Sequence, residues 1–393
     1  MKIKILCSLA LLMSASLLVA PQKAPASDPP CAGVSATGFA NWSQFQSDPC
    51  HTGYNPNEFL LSPTTVGNLV LDWKYLTGAS VNSSPAVADG VAYVGSGDGN
   101  VYAFNAVTGA LLWKYTTGAG IGYSSPAVAG GVVYIGSLDA NVYALNARTG
   151  TLLWKYQTQA NITYSSPAVA DGVVYIGSFD GYLYALNAGT GTLIWKYYTV
   201  TSITSSPAVA NGVVYVGTLS DKFSALDART GALLWSYQTG SWVESSPAVA
   251  NGVVYIGSLD GNFYALNATT GALLWKYTTS FENDYSAPAV ANGVVYACAF
   301  DGNVYAFDAV TGALRWKYAT GNGLLSSPAL ANGVVYVGVY RVGLFALNAE
   351  NGALLWAYTK GVNPYYSSPA VANGMVYLGS TTWYLYAFHL PGH

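Results

Sequence analysis

A tryptophan set in Leu-Leu-Trp-Lys-Tyr, or a close variant of it, returns at Trp73, Trp113, Trp154, Trp195, Trp235, Trp275, Trp316 and Trp356. Seven steps over 283 residues give 40.4 residues per step. The proline of Ser-Ser-Pro-Ala-Val-Ala keeps the same interval at Pro85, Pro126, Pro167, Pro207, Pro247, Pro288, Pro328 and Pro369. Two independent markers thus count eight units of 40 or 41 residues. That period belongs to propellers rather than helical solenoids, because no segment carries helical spacing.

Each unit divides into four short strands. Around Pro247 they are predicted at Ser245–Ala250, Val253–Ser258, Asn262–Asn267 and Ala272–Tyr277. Asn251-Gly252 and Asp260-Gly261 supply the positive φ that tight hairpins demand. Four strands repeated eight times predict an all-β chain folded as an eight-bladed β-propeller with antiparallel blades. The ends fit together. Leu69–Tyr75 is a lone fourth strand, while Ser367–Ala372, Met375–Ser380 and Tyr384–Phe388 lack one, so the two termini are predicted to share the eighth blade and close the ring. The Ser-Ser-Pro strand is expected innermost, where an unpaired edge tolerates proline. The tryptophans are read as structural, docking between blades.

Composition narrows the function classes. Only 8% of the residues are charged, against about 25% in ordinary soluble domains. With 52% hydrophobic residues the chain is no disordered tail. It carries no basic patch, so no nucleic acid is expected as a partner.

Residues 1–26 read as a signal peptide: Lys2 and Lys4, an apolar run from Ile5 to Ala20, then Ala24-Pro25-Ala26. The expected domains are that peptide, an N-terminal segment at 27–68 leading into the ring, and the propeller at 69–390. The mature protein is expected to be exported, periplasmic or extracellular, monomeric, and without a membrane span. In an oxidising compartment Cys31 and Cys50 are expected to pair, and Cys298 reads as a buried apolar residue.

The repeat resembles the pyrroloquinoline-quinone (PQQ) type of propeller. That family's docking motif, Ala-x-Asp-x-x-x-Gly-x-x-x-Trp, is matched by Ala225, Asp227, Gly231 and Trp235, and by Ala306, Asp308, Gly312 and Trp316. Ala103, Asn105, Gly109 and Trp113 match it with Asn in place of Asp. The segments Trp42–Phe45 and His51–Asn55 also look like the first strand of exported members. The resemblance implies either a PQQ-dependent dehydrogenase or a non-enzymatic scaffold of the BamB type, so fold alone does not choose. Family dehydrogenases need calcium held by Glu, Asn and Asp, an Asp base, and often a disulfide between adjacent cysteines against the quinone. This sequence has no adjacent cysteines, and no long covering insertions. No catalytic residue, no metal site and no cofactor is therefore expected. PQQ with calcium, in an alcohol or sugar oxidoreductase with quinone at the axis, is the alternative. The series Asp98, Asp139, Asp180, Asp260 and Asp301 is read as hairpin chemistry.

The copies differ unevenly. Turns joining strands one to two and three to four hardly change. Inter-blade connections and the second-to-third turns vary, and strand alternation puts both on one face. Trp242, Glu244, Glu282, Asp284, Tyr340, Arg341 and Trp383 lie there. Aromatic residues with a few charges are what binding surfaces enrich. The expected function is a non-catalytic scaffold holding a protein or glycan partner on this face, with glycan binding as a third reading.

Overall fold

The structure is a computed structural model describing residues 41–279 and 285–392. Its strands form eight sheets, and within each the order runs from the axis outward. Blade 1 comprises Ala86–Ala88, Val91–Gly95, Asn100–Asn105 and Leu111–Thr116. Blades 2 to 7 repeat it over 127–157, 168–198, 208–238, 248–278, 289–319 and 329–358. Blade 8 takes Ala370–Ala372, Met375–Gly379 and Tyr384–His389 from one end of the chain. Val70–Leu76 from the other end completes it, in antiparallel register from Val70↔His389 to Leu76↔Tyr384. The predicted shared blade is observed.

The innermost strands are shorter than the sequence suggests. In blade 5 the strand covers Ala248–Ala250 rather than Ser245–Ala250. Pro247 has no N–H to give, and the serines before it turn toward the axis instead of pairing in the sheet.

Each outer strand carries a β-bulge. In blade 1 Phe104 faces Leu111 and Ala103 faces Trp113, leaving Leu112 over. The local twist turns the indole toward the next blade. Trp113 Nε1–H donates to the Ala147 carbonyl at 2.9 Å, and the Tyr93 hydroxyl donates to the same oxygen at 3.2 Å. Gly150 lies flat beneath that ring, where a Cβ would stand 2.6 Å from the indole. Trp356 continues the series across the seam, donating to the Leu69 carbonyl at 2.9 Å. Apolar side chains fill the wedges between blades, as with Val101, Ile121, Val133, Ile135 and Leu145 between blades 1 and 2.

The inner edges do not stay unpaired, contrary to the sequence expectation. Residues 42–55 circle the axis and reach all eight inner strands in turn. Trp42 exchanges two backbone bonds with Val87. Val128, Val209, Val249, Val290 and Leu330 donate their amides to carbonyls of Ser43, Pro49, Cys50, Thr52 and Gly53. At blade 3 the Gln44 side-chain amide replaces backbone, receiving Val169 N–H at 2.8 Å and donating to its carbonyl at 3.1 Å. At blade 8 Asn55 Nδ2 donates to the Val371 carbonyl at 2.8 Å. A buried amide left unpaired costs about 1–3 kcal/mol, which accounts for a segment whose regular structure is limited to the short strand Tyr54–Asn55, parallel to the inner strand of blade 7, lying inside a ring.

Candidate binding face and axial cavity

The second serine of each Ser-Ser-Pro points along the ring. Ser84 N–H donates to Ser125 Oγ, Ser125 to Ser166, Ser166 to Ser206 and Ser206 to Ser246, at 2.8–2.9 Å. Ala287 donates to Ser327, Ser327 to Ser368, and Ser368 back to Ser84. The circle is broken between Ser246 and Ala287, which has no hydroxyl to receive the amide.

The residue before each Ser-Ser pair lies one step nearer the variable face. Four of these are tyrosines, and they gather on the axis. Tyr123 and Tyr164 stack with ring centroids 4.5 Å apart, and Tyr164 stacks on Tyr285 at 5.1 Å. Tyr366 meets Tyr123 and Tyr285 edge-on at 4.3 and 5.1 Å. Burial pushes the Tyr123 phenol up to about 12, with Tyr164 beside it adding to the shift. Desolvation raises Tyr366 further, so neither of these two phenols is charged at physiological pH. Glu244 occupies the same repeat position and is 6% exposed, with the Tyr285 hydroxyl donating to it at 3.3 Å. Below these rings lies a cavity of about 40 Å³, floored by Phe45 of the circling segment and lined by ring serines, Thr204 and Glu244.

The remaining predicted residues lie further out. Arg341 sits over the Tyr340 ring at 4.9 Å. Tyr340 packs on Tyr365 at 4.7 Å, and Tyr365 on Tyr366 at 4.3 Å. A continuous run of aromatic contacts thus joins Arg341 at the rim to Glu244 at the axis. Trp383 is half-exposed at a turn position with φ 71°, where other copies have Gly99, Gly181, Gly261 and Gly302. Trp242, also half-exposed, belongs to the connection between blades 4 and 5, while Trp383 belongs to blade 8. The structure links Tyr340 and Arg341 to the axial cluster through Tyr365, and places Trp242 and Trp383 on separate arcs. Glu282, Asp284 and Cys31 lie outside the described residues. Cys50 is disulfide-bonded.

The aspartate series has a structural role. Asp260 Oδ1 receives the amide of Asn262 at 2.9 Å, and Oδ2 receives the Tyr264 hydroxyl at 2.6 Å and the Gly240 amide at 2.7 Å. Asp98 and Asp139 repeat this arrangement. Burial works against ionisation there, but the phenol and amide donors together outweigh it and hold these carboxyls low.

A family profile described as the β-propeller of beta-alanine-activating enzyme matches residues 165–393, more than half of the chain. The chain belongs to that family and is a PQQ-like propeller. A profile described as outer membrane protein assembly factor BamB matches residues 34–202. Three solved structures share the fold. The quinohemoprotein alcohol dehydrogenase ADHIIG of Pseudomonas putida HK5 is 18% identical, with a TM-score of 0.77 over 90% of this chain and 81% of that one. BamB of Moraxella catarrhalis is 21% identical, with a TM-score of 0.71 over 83% and 98%. The computationally designed protein Ika8 is 19% identical, with a TM-score of 0.72 over 80% and 97%. No curated protein matches the chain in sequence.

The PQQ-like family raises the question of whether these residues suit its quinone. PQQ is a flat three-ring tricarboxylate, and small-molecule sites start at about 300 Å³. The axial cavity has about 40 Å³, no Lys or Arg lines it, and Glu244 is the one carboxylate on its wall among the described residues. Calcium takes about six to eight oxygens, several from carboxylates. The described lining of this cavity fits neither the quinone nor its calcium.

Sequence reasoning missed Tyr285, Thr204 and Leu325 as axial residues. It did not single out Tyr123, Tyr164 and Tyr366 either. The signal was available: the residue preceding each Ser-Ser pair, compared copy by copy, gives the axial ring.

Proposed function

We propose that this PQQ-like propeller is a non-catalytic scaffold, exported to the cell envelope, that engages a partner through its variable face. The observation that carries this reading is that the chain's own side chains fill the axis. Four tyrosines close it from one face and residues 42–55 from the other, where an oxidoreductase of this fold needs room for quinone and substrate. The rim adds a second strand of support. Trp383 holds a bulky side chain in a left-handed conformation that glycine adopts at no cost, and local folding alone gives no reason for it. Export rests on the signal-peptide pattern at 1–26 and on the BamB likeness.

Addition of PQQ with calcium to the purified protein tests the reading directly. No quinone absorbance should be retained through gel filtration, and no dye-linked oxidation of alcohols or sugars should follow. Stoichiometric quinone with turnover would falsify it. The working face is tested separately, by glycan array and by cross-linking to envelope proteins. Trp242→Ala, Arg341→Ala and Trp383→Ala combined should abolish capture, whereas Arg148→Ala with Arg229→Ala on the opposite face should not. A positive array signal would make the partner a glycan rather than a protein.

A further inference from the structure

We propose that the cleft between blades 8 and 1, on the face opposite the variable one, binds a small aliphatic alcohol, its hydroxyl held between Asp72 and His389. This goes beyond the scaffold reading and does not depend on it.

Two repeat positions depart from the pattern together in blade 8. The residue before each tryptophan, left over at the bulge, is Leu or Ile in six copies, as at Leu112 and Leu355, but is Asp72 here. The residue closing each third strand is Asn or Asp in seven copies. Its side-chain oxygen caps the turn that follows, as Asn105 Oδ1 does for the amides of Val107 and Thr108. In blade 8 the fourth strand is Val70–Leu76, so no such turn follows, and the position holds His389. Neither bulge nor turn explains these two residues, and both line one cleft.

Blade 6 supplies an internal comparison. There the same two positions hold Arg315 and Asp308, which close on each other at 2.7 Å. Asp72 Oδ1 and His389 Nε2 stand 3.7 Å apart, too far for a hydrogen bond. An oxygen about 2.8 Å from each atom fits between them. A carboxylate only accepts, and an imidazole N–H turned toward it only donates. A hydroxyl donates to the first and accepts from the second. An ammonium would turn donors toward the imidazole N–H, and a second carboxylate would meet the charge of Asp72.

The apolar walls select what carries the hydroxyl. Met375 and Leu390 are buried, at 5% and 6% exposure, while Leu60 and Val107 form an exposed lip. Buried Glu58 fixes the Leu60 side, accepting the amides of Leu60 at 2.8 Å and Gly374 at 2.7 Å. A Cβ on Gly374 would stand 2.8 Å from Leu60 Cδ1, so the glycine lets the lip close in. The cleft holds about 100 Å³. A cavity of about 150 Å³ takes one benzene, so this cleft suits a chain of roughly three to five carbons rather than a ring.

The test is nuclear magnetic resonance of the full chain labelled at its methionine methyl groups, reading the Met375 signal, which is assigned by its loss in Met375→Leu. The probes are n-butanol, n-butyl chloride, butylammonium chloride and sodium butyrate at matched ionic strength. Butanol should shift the signal saturably, and each of the others should bind at least about fivefold more weakly, the ratio that one net hydrogen bond sets. Restoring the repeat residues, by Asp72→Leu or His389→Asn, should erase the preference for butanol over butyl chloride. Arg315→Leu in blade 6 should leave it intact. An unmoved Met375 signal, binding of butyl chloride or butylammonium as tight as that of butanol, or a preference undiminished in both restored variants would overturn the proposal. Should one variant not fold, the other decides together with the four-probe comparison on the wild type.

Discussion

Replacing Trp73 by alanine tests whether the two ends of the chain truly make one ring. The indole belongs to the first blade strand in the chain but works in the last blade. It packs 6.0 Å from both Phe104 of blade 1 and Tyr377 of blade 8, and its Nε1–H donates to the Ala106 carbonyl at 3.1 Å. Trp→Ala in a core costs about 3–5 kcal/mol, and the lower end applies because Trp73 is only half-buried. The lost hydrogen bond adds about 1 kcal/mol and no more, since Ala106 keeps the Tyr377 hydroxyl at 3.1 Å. The sum is about 3–4 kcal/mol. At about 2 °C per kcal/mol for a chain of this size, the melting temperature should fall by about 6–8 °C. Trp195→Ala in blade 3 is the matched control. That indole donates to Ala228 at 2.9 Å, and the Tyr175 hydroxyl shares the same acceptor at 3.0 Å. Calorimetry should show one transition in both variants, lowered by similar amounts. If Trp73→Ala instead melts like wild type, or sheds a small early transition while the rest is unmoved, the seam is a flap and the ring argument fails.

Gln44→Ala should lower stability by about 2–5 kcal/mol, because it strands both the N–H and the carbonyl of Val169 in a buried place; urea denaturation reads this. Trp383→Gly should raise the melting temperature or leave it level, by relief of about 1 kcal/mol of left-handed strain, and a clear loss would show that the side chain packs for stability. The carboxyls of Asp98, Asp139 and Asp260 are held below their ordinary value of 3.8. Their contribution is therefore complete above that pH and is lost as acid takes the protein down through the depressed folded values. Asp48 acts oppositely, since burial raises it to about 6, so the stability it lends is present below the ordinary value and lost on going up through 6. Melting followed from pH 2 to 8 should show a steep acid limb, and Asp260→Asn should flatten it; an unchanged limb would remove the phenol–carboxylate clamp from the account.

Much of the ring was legible because its markers are side chains with one job each. Trp113 and its counterparts need a bulge, a glycine beneath and a carbonyl beyond, so the interval between them reports the blade. The lone strand at Val70–Leu76 was legible for the same reason. What the sequence concealed are contacts made without a side-chain signature. Ser43, Pro49 and Thr52 serve the inner strands through their main-chain oxygens, which leave no pattern to read. The axial tyrosines were visible as residues but not as a cluster. In a connection between blades, an aromatic directed inward and one directed outward look alike until repeat copies are aligned on the serine that follows. Trp242 and Trp383 illustrate the converse: both break the repeat, yet fold geometry sets them on different arcs.

The seam has a consequence in time. Thr77 and Trp383, which bond across it, are separated by 306 residues. At about 5–20 residues per second, a ribosome needs roughly 15–60 s to deliver the second after the first. Throughout that interval the first strand has no partner, and residues 42–55 have no complete circle of inner strands to thread. Blades can pair locally as they emerge, but the clasp and the plug must wait for the final blade. Residues 42–76 are thus made before every blade they serve and fixed only after the last of them, so the ring's two closing elements are the latest part of the fold to form.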